Sequence, residues 1–348
     1  MRTPDLEPLA TALTDHYHLP DADLAPVRGG QNTINLRATT PDGHRVFVKT
    51  YPAGTDLEAE REALALSERA GTRGVPVAPL IRDRDGHLLH TAGPVAFSVW
   101  GWVEGHLVTR PGHHHCLQAG HALGRIHAAF AHLPVTRADR EACLSEWRTV
   151  EAAGLTATID RLLAAISERP EPDEFDEVAA TTLAERRAML THLPTLAAQI
   201  EQEVTVQVLH GDYSPVNLLY TTEGELAAVL DFCPPRPGLA AYDLGRMAFY
   251  PHTVTGPGDW MALARTFITA YLDVHPRTRR ADVRACGRIA LLQLLRSLYG
   301  VKQHYLKPGL DQEALDQFWI LRHSTAAILL VHLPDVDRML DALAHDLR

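Results

Sequence analysis

Residues 210–217 read His-Gly-Asp-Tyr-Ser-Pro-Val-Asn, and an apolar run at 226–230 then ends in Asp231-Phe232. Asn217 stands five residues after Asp212, and Asp231 closes a strand-like run. Gly, Asp, Ser, Pro and Asn concentrate in turns, whereas short apolar runs bounded by such residues favour strands. The segment therefore predicts a tight loop and hairpin carrying three oxygen-bearing side chains. It is the only strongly strand-like part of its half of the chain. Around it, apolar periodicity predicts helices over 116–131, 147–167, 176–201, 259–274, 280–305 and 311–347.

The first hundred residues are patterned differently. A helix is expected over 6–18, strands over 23–27, 35–39 and 45–50, and a charged amphipathic helix over 57–70 that stops at Gly71. Two more strand-like runs cover 86–91 and 95–103. With 348 residues, two lobes can each bury a core. The expected fold is α+β and bilobal: a β-rich N-lobe with one main helix at 1–99, a connector at 100–105, and a larger, mostly helical C-lobe at 106–348.

Charge excludes some partners. Thirty-three basic against 43 acidic residues leave a net charge of −10, which argues against nucleic acid, whose phosphates need a basic surface. No apolar run is long enough to span a bilayer, and residues 1–15 lack a signal-peptide core, so a cytoplasmic protein without a membrane partner is expected. The four cysteines are scattered without a CxxC pair, as reduced thiols are.

The residue types of the hairpin suit phosphoryl transfer, in which a protein supplies positioning and charge neutralisation. Asp212 is the candidate base for an attacking hydroxyl, and Asn217 and Asp231 are candidate ligands for Mg2+ on ATP. A lysine should hold the phosphates, and Val46-Phe47-Val48-Lys49 ends a β run in one. A glutamate on the following helix should pair with it. Glu58, Glu60 and Glu62 are the candidates. Gly29, Gly30, Asn32 and Thr33, in the turn after the first strand, would either approach phosphate through backbone N–H groups or form a plain hairpin turn. His210 is expected to prop the catalytic loop, and Asp243 either caps a helix or braces that loop.

Together these residues resemble the aminoglycoside phosphotransferase superfamily, small-molecule kinases with a protein-kinase-like fold and with choline and homoserine kinase relatives. His210-Gly211-Asp212 with Asn217, Leu230-Asp231-Phe232 and Asp243-Leu244-Gly245 carry the resemblance, and Leu123 to His127 echo the family's L-x-x-L-H helix. The resemblance covers most of residues 20–250. It implies a kinase acting on a small-molecule hydroxyl, with ATP, or GTP in its place, and Mg2+ as cofactors, in a monomer or homodimer. It also implies that backbone near Val99 and Gly101 receives adenine, and it favours Glu62 as the partner of Lys49. The acceptor could be an antibiotic such as an aminoglycoside, or an amino alcohol, homoserine-like compound or sugar. Cys233 replaces the glycine that follows the Asp-Phe pair in protein kinases, and a stiff Pro234-Pro235-Arg236-Pro237 stretch comes next. Beyond residue 250 only helical character is recognisable, but Arg296, Tyr299, Lys302, Arg322 and His323 mix aromatic with basic groups, which points away from a simply polycationic acceptor. A catalytically silent nucleotide- or partner-binding protein of the same fold is the alternative. The presence of Lys49, Asp212 and Asp231 argues against it.

Overall fold

The computed structural model describes residues 6–27, 34–93, 95–306, 312–345 and 347. Two compact units are present: Met1–His106 with Leu218–Pro235, and Leu107–Asn217 with Arg236–Arg348.

The first unit is an antiparallel sheet between two helices. Strands β1 (Asp23–Val27), β2 (Asn35–Thr39), β3 (Arg45–Tyr51), β4 (Leu80–Ile81), β5 (His90–Ala92) and β6 (Val95–Gly101) take the order β1-β2-β3-β6-β4, with β5 also on β6. Alternation along β3 sorts the two faces. Val46 and Val48 join Phe97 and Val99 in a core closed by Leu9, Leu13 and Tyr17 of helix α1 (Glu7–Tyr17). Tyr51 points the other way and packs with Ala96 and Leu64, the latter on α2 (Leu57–Gly71). Helix α2 starts where the Asp56 side chain accepts the N–H groups of Glu58 and Ala59, an N-cap. The strand expected from residue 86 begins only at His90. The preceding residues turn around Asp83, whose Oδ1 accepts the N–H groups of Asp85 and His87.

Short strand β7 (His106–Leu107) leads on to helices α3 (His113–Phe130), α4 (Arg137–Arg148), α5 (Ala152–Ser167), α6 (Glu174–Met189) and α7 (Leu193–Ala198). After β8 (Val206–Val208) the chain returns to the first unit as the hairpin β9 (Leu218–Tyr220) and β10 (Leu226–Val229). That hairpin is tied in by a parallel bridge between Val77 and Val229 and by the Val229 N–H donating to the Pro76 carbonyl at 2.8 Å.

Strand β11 (Pro237–Leu239) then pairs antiparallel with β8, and α8 (Ala240–Ala248), α9 (Pro251–Val254), α10 (Trp260–Val274), α11 (Arg280–Arg296), α12 (Val301–Leu306) and α13 (Gln312–Leu343) complete the helical unit. The helix expected over 280–305 is two helices. Ser297 adopts extended backbone after α11, and the Gly300 N–H donates to Gln303 Oε1 as α12 opens. Helices α8 and α11 meet so closely that a Cβ on Gly245 would strike the Cys286 carbonyl. No described helix is long and apolar enough to cross a membrane. All four cysteines are free thiols.

Candidate active site

In the first unit, the side chain of Lys49 lies on the same face of β3 as Tyr51. Its ammonium donates to Asp231 Oδ1 at 2.7 Å. Burial opposes the charge on Lys49, but the carboxylate of Asp231 and the nearby Tyr51 and Glu60 outweigh it, and the lysine pKa is raised. Asp231 follows β10 with φ +59°, a left-handed conformation costly for a non-glycine residue. The turn aims its carboxylate out of the hairpin, where the side chain stays 54% exposed.

The helix α2 glutamate within electrostatic reach of this pair is Glu60, where the sequence favoured Glu62. The Glu60 carboxyl is pushed up by partial burial, pulled down by Lys49 and pushed up by Asp231. Glu62 is exposed, and Glu58 pairs with Arg61 at 2.9 Å. The helical repeat explains the choice: Glu60 heads the stripe that continues through Ala63, Leu64 and Ser67, all buried against the sheet.

Val99 and Gly101, the backbone candidates for adenine, lie in and at the end of β6. Val99 lies inside β6, paired on one side with Val48 and on the other with Ile81, and its side chain enters the core under α1. The Gly101 N–H already donates to the Pro79 carbonyl at 2.8 Å. Gly29, Gly30, Asn32 and Thr33 lie outside the described residues.

The second unit builds the candidate catalytic loop, residues 210–217, around a buried carboxylate. Asp243 is fully buried, and its Oδ2 accepts the His210 N–H at 2.9 Å while Oδ1 accepts the Gly211 N–H at 3.2 Å. It does not cap α8, which starts earlier at Ala240; it braces the loop. The same Oδ2 lies 3.2 Å from His127 Nε2, and His127 Nδ1 lies 3.0 Å from the Tyr271 hydroxyl. A carboxylate only accepts, so Nε2 carries the proton and Nδ1 accepts from Tyr271. Gly211 takes φ +88°, the turn glycine alone adopts readily. His210 is fully buried, and its Nδ1 accepts the Asp212 N–H at 3.2 Å.

These contacts leave Asp212 partly exposed with both oxygens oriented. Asn217 Nδ2 donates to Asp212 Oδ2 at 3.0 Å and to the Asp212 carbonyl at 2.9 Å. Arg246 forms an ion pair with Asp212 Oδ1. Burial opposes the charge on Arg246, but Asp212, with Tyr242 and Tyr250, holds its pKa above the usual arginine value. Arg246 was absent from the sequence candidates. Its signal was its place three residues after Asp243 on one helix, the spacing that puts two side chains on one face. Beside this pair, Tyr242, Gly245, Arg246, Tyr250, Gln293 and Arg322 line a cavity.

The family profile described as "Phosphotransferase enzyme family" matches residues 23–281, about three quarters of the chain. The chain belongs to the phosphotransferase enzyme family. Among curated relatives, homoserine kinase from Methylobacterium radiotolerans is 26% identical over 181 residues, 52% of this chain and 50% of the relative. The chain thus spans about half the length of that relative. Two solved structures share the phosphotransferase fold. A spectinomycin phosphotransferase in complex with ADP and spectinomycin has a TM-score of 0.65 and 14% identity, covering 94% of this chain and 98% of the other. Amicoumacin kinase in complex with AMP-PNP and Ca2+ has a TM-score of 0.58 and 15% identity, with 94% and 95% covered. The α+β fold expected from the sequence, with its antiparallel N-terminal sheet, is the fold of this phosphotransferase family.

Proposed function

We propose that this chain transfers the γ-phosphoryl group of ATP, or of GTP in its place, to a hydroxyl of a small molecule. The observation that carries the reading is the oriented Asp212, held through Asn217 and Arg246 on a loop braced by the buried Asp243. Each Asp212 oxygen accepts one donor and keeps a lone pair, so the carboxylate can take a hydroxyl proton while its position is fixed. Arg246 pairs with that carboxylate and balances its charge before proton transfer.

Asn217 donates through Nδ2, which leaves Oδ1 as a ligand atom, and Asp231 offers an exposed carboxylate. Hard oxygen donors of this kind suit Mg2+. When bound, the ion neutralises charge on the phosphate oxygens. Lys49 is the candidate cation for the triphosphate, and Glu60 supports it electrostatically. The ADP and AMP-PNP bound by the two fold neighbours support a nucleotide cofactor. The homoserine kinase relatives support a hydroxylated metabolite as acceptor alongside antibiotic-like acceptors.

The test is a Mg2+·ATP phosphotransfer screen against aminoglycosides, spectinomycin, homoserine, choline, amino alcohols and sugars, read by mass spectrometry. A phosphorylated product absent with Asp212→Asn is expected. Tight nucleotide binding with no product from any acceptor class would instead support a catalytically silent member of the family.

A further inference from the structure

Three arginines converge in the interior of the helical unit. Arg186 on α6 is fully buried and Arg322 on α13 is 3% exposed, while the side chain of Arg246 on α8 is 18% exposed. Only Arg246 has a carboxylate partner, Asp212. Among the described residues, neither Arg186 nor Arg322 forms an ion pair. A buried cation without a counter-ion costs several kcal/mol, a cost that proteins seldom carry without a use for the charge.

The two unpaired arginines differ. Arg186 Nη1 donates to the carbonyls of Leu294 and Ser297, at 2.5 and 3.4 Å, and its guanidinium stacks 4.8 Å from the Trp319 ring centroid. Its Nε and Nη2 are also buried without a hydrogen-bond partner, but Arg186 does not line the cavity beside Arg246 and is built into the core. Arg322 lies over Phe318 at 5.6 Å and lines the cavity with Arg246. Its Nε and Nη2 are both buried without a hydrogen-bond partner. Those two atoms form one edge of the guanidinium, with parallel N–H bonds spaced to meet both oxygens of a carboxylate. Burial and the neighbouring Arg246 push the Arg322 pKa down to about 10, which still leaves the group charged at neutral pH.

We infer that the acceptor carries a carboxylate, received in this cavity by the Nε–Nη2 edge of Arg322 while its hydroxyl meets Asp212 beside Arg246. The inference rests on the kinase reading for the position of the hydroxyl. The carboxylate supplies the counter-charge missing from the cavity. Tyr250 and Tyr299, both within electrostatic reach of Arg322, add hydroxyls to the same region. Polycationic acceptors are disfavoured, since Asp212 offers one negative charge against the two guanidiniums of Arg246 and Arg322.

The test compares L-homoserine with 3-aminopropan-1-ol, which keeps the amine and hydroxyl and lacks the carboxylate. Both are titrated calorimetrically into the full chain with Mg2+·AMP-PNP, with acetate as a competitor and kanamycin as the polycationic control. Wild type is expected to bind homoserine about ten-fold or more tighter than the amino alcohol, the worth of a charge-assisted hydrogen bond. Acetate should weaken homoserine binding. Arg322→Met should abolish the preference, and Arg322→Lys should restore part of it. Without ligand, Arg322→Met should melt no lower than wild type, because it removes an unpaired buried charge; a purely structural arginine would cost stability when lost. Equal binding of the two probes by wild type, no binding of homoserine or acetate, or preference for kanamycin would each overturn the inference, and none of these results depends on a variant folding. Phosphorylation of a neutral acceptor independent of Arg322 would refute the carboxylate while sparing the kinase. Arg322-dependent carboxylate binding without phosphotransfer to any acceptor would do the reverse.

Discussion

Removing the Asp243 carboxylate should cost more stability than any single change within the 210–217 loop that it braces. In Asp243→Ala, the N–H groups of His210 and Gly211 lose acceptors at 2.9 and 3.2 Å, and the Nε2–H of His127 loses one at 3.2 Å. Asp243, His210 and His127 are fully buried, so water cannot simply replace the carboxylate. A hydrogen bond to a charged group is worth about 1.5–3 kcal/mol, and a stranded buried donor costs about 1–3 kcal/mol. The two bonds at 3.2 Å sit at the low end of that range. The sum is roughly 3–5 kcal/mol, a large share of the roughly 5–15 kcal/mol that holds a domain together. For a unit of this size the melting temperature should fall by roughly 6–20 °C. Asp243→Asn keeps the shape and one acceptor oxygen, and its loss should be about half as large. The assay is urea unfolding followed by circular dichroism for wild type and both variants, with turnover measured on the folded fraction. Turnover should fall in both, because the loop that carries Asp212 loses its brace. A loss below about 1 kcal/mol in Asp243→Ala would refute the bracing argument.

Other perturbations have equally definite outcomes. Asp212→Asn should lower kcat by about 10²–10⁴-fold while calorimetry shows unchanged nucleotide affinity; near-wild-type turnover would exclude Asp212 as the base. Glu60→Gln should raise the KM for ATP and Glu62→Gln should leave it unaltered, since Glu60 is within electrostatic reach of Lys49 and Asp231 while Glu62 is exposed; equal effects would contradict the helix assignment. Gly245→Ala should destabilise the helical unit by about 1–3 kcal/mol in urea unfolding, because the new methyl meets the Cys286 carbonyl across the α8–α11 contact. His275, pushed down to about 4 by burial and by its neighbours His127 and Arg277, is held neutral in the fold. Its stabilising contribution is complete above the ordinary histidine pKa and is lost as pH falls from about 6.5 towards 4. His275→Phe should flatten that part of the stability–pH curve, and an unchanged curve would show that other groups dominate it.

Local pattern and spacing made much of this protein legible before its tertiary structure. The alternation of β3, the stop of α2 at Gly71 and the tight turn at Gly211 follow from nearest neighbours, because strand pleat, helix repeat and φ preference act over a few residues. Asp212, Asn217 and Asp231 stand out as candidates for the same reason: their residue types lie at short spacing around turn signals. Pairings across long stretches of chain were not visible. Lys49 meets Asp231 across 182 positions, and His127 meets Asp243 across 116. Placing Glu60 rather than Glu62 within reach of Lys49 required knowing which stripe of α2 the sheet buries, and the pairing of Val99 required knowing the order of the strands around β6. The unpaired edge of Arg322 is the extreme case. A basic residue near aromatics can be read from sequence, but whether its charge is buried, stacked or left without a counter-ion depends on helices α6, α8 and α13 closing around it, and packing of that kind is decided only when distant segments share one interior.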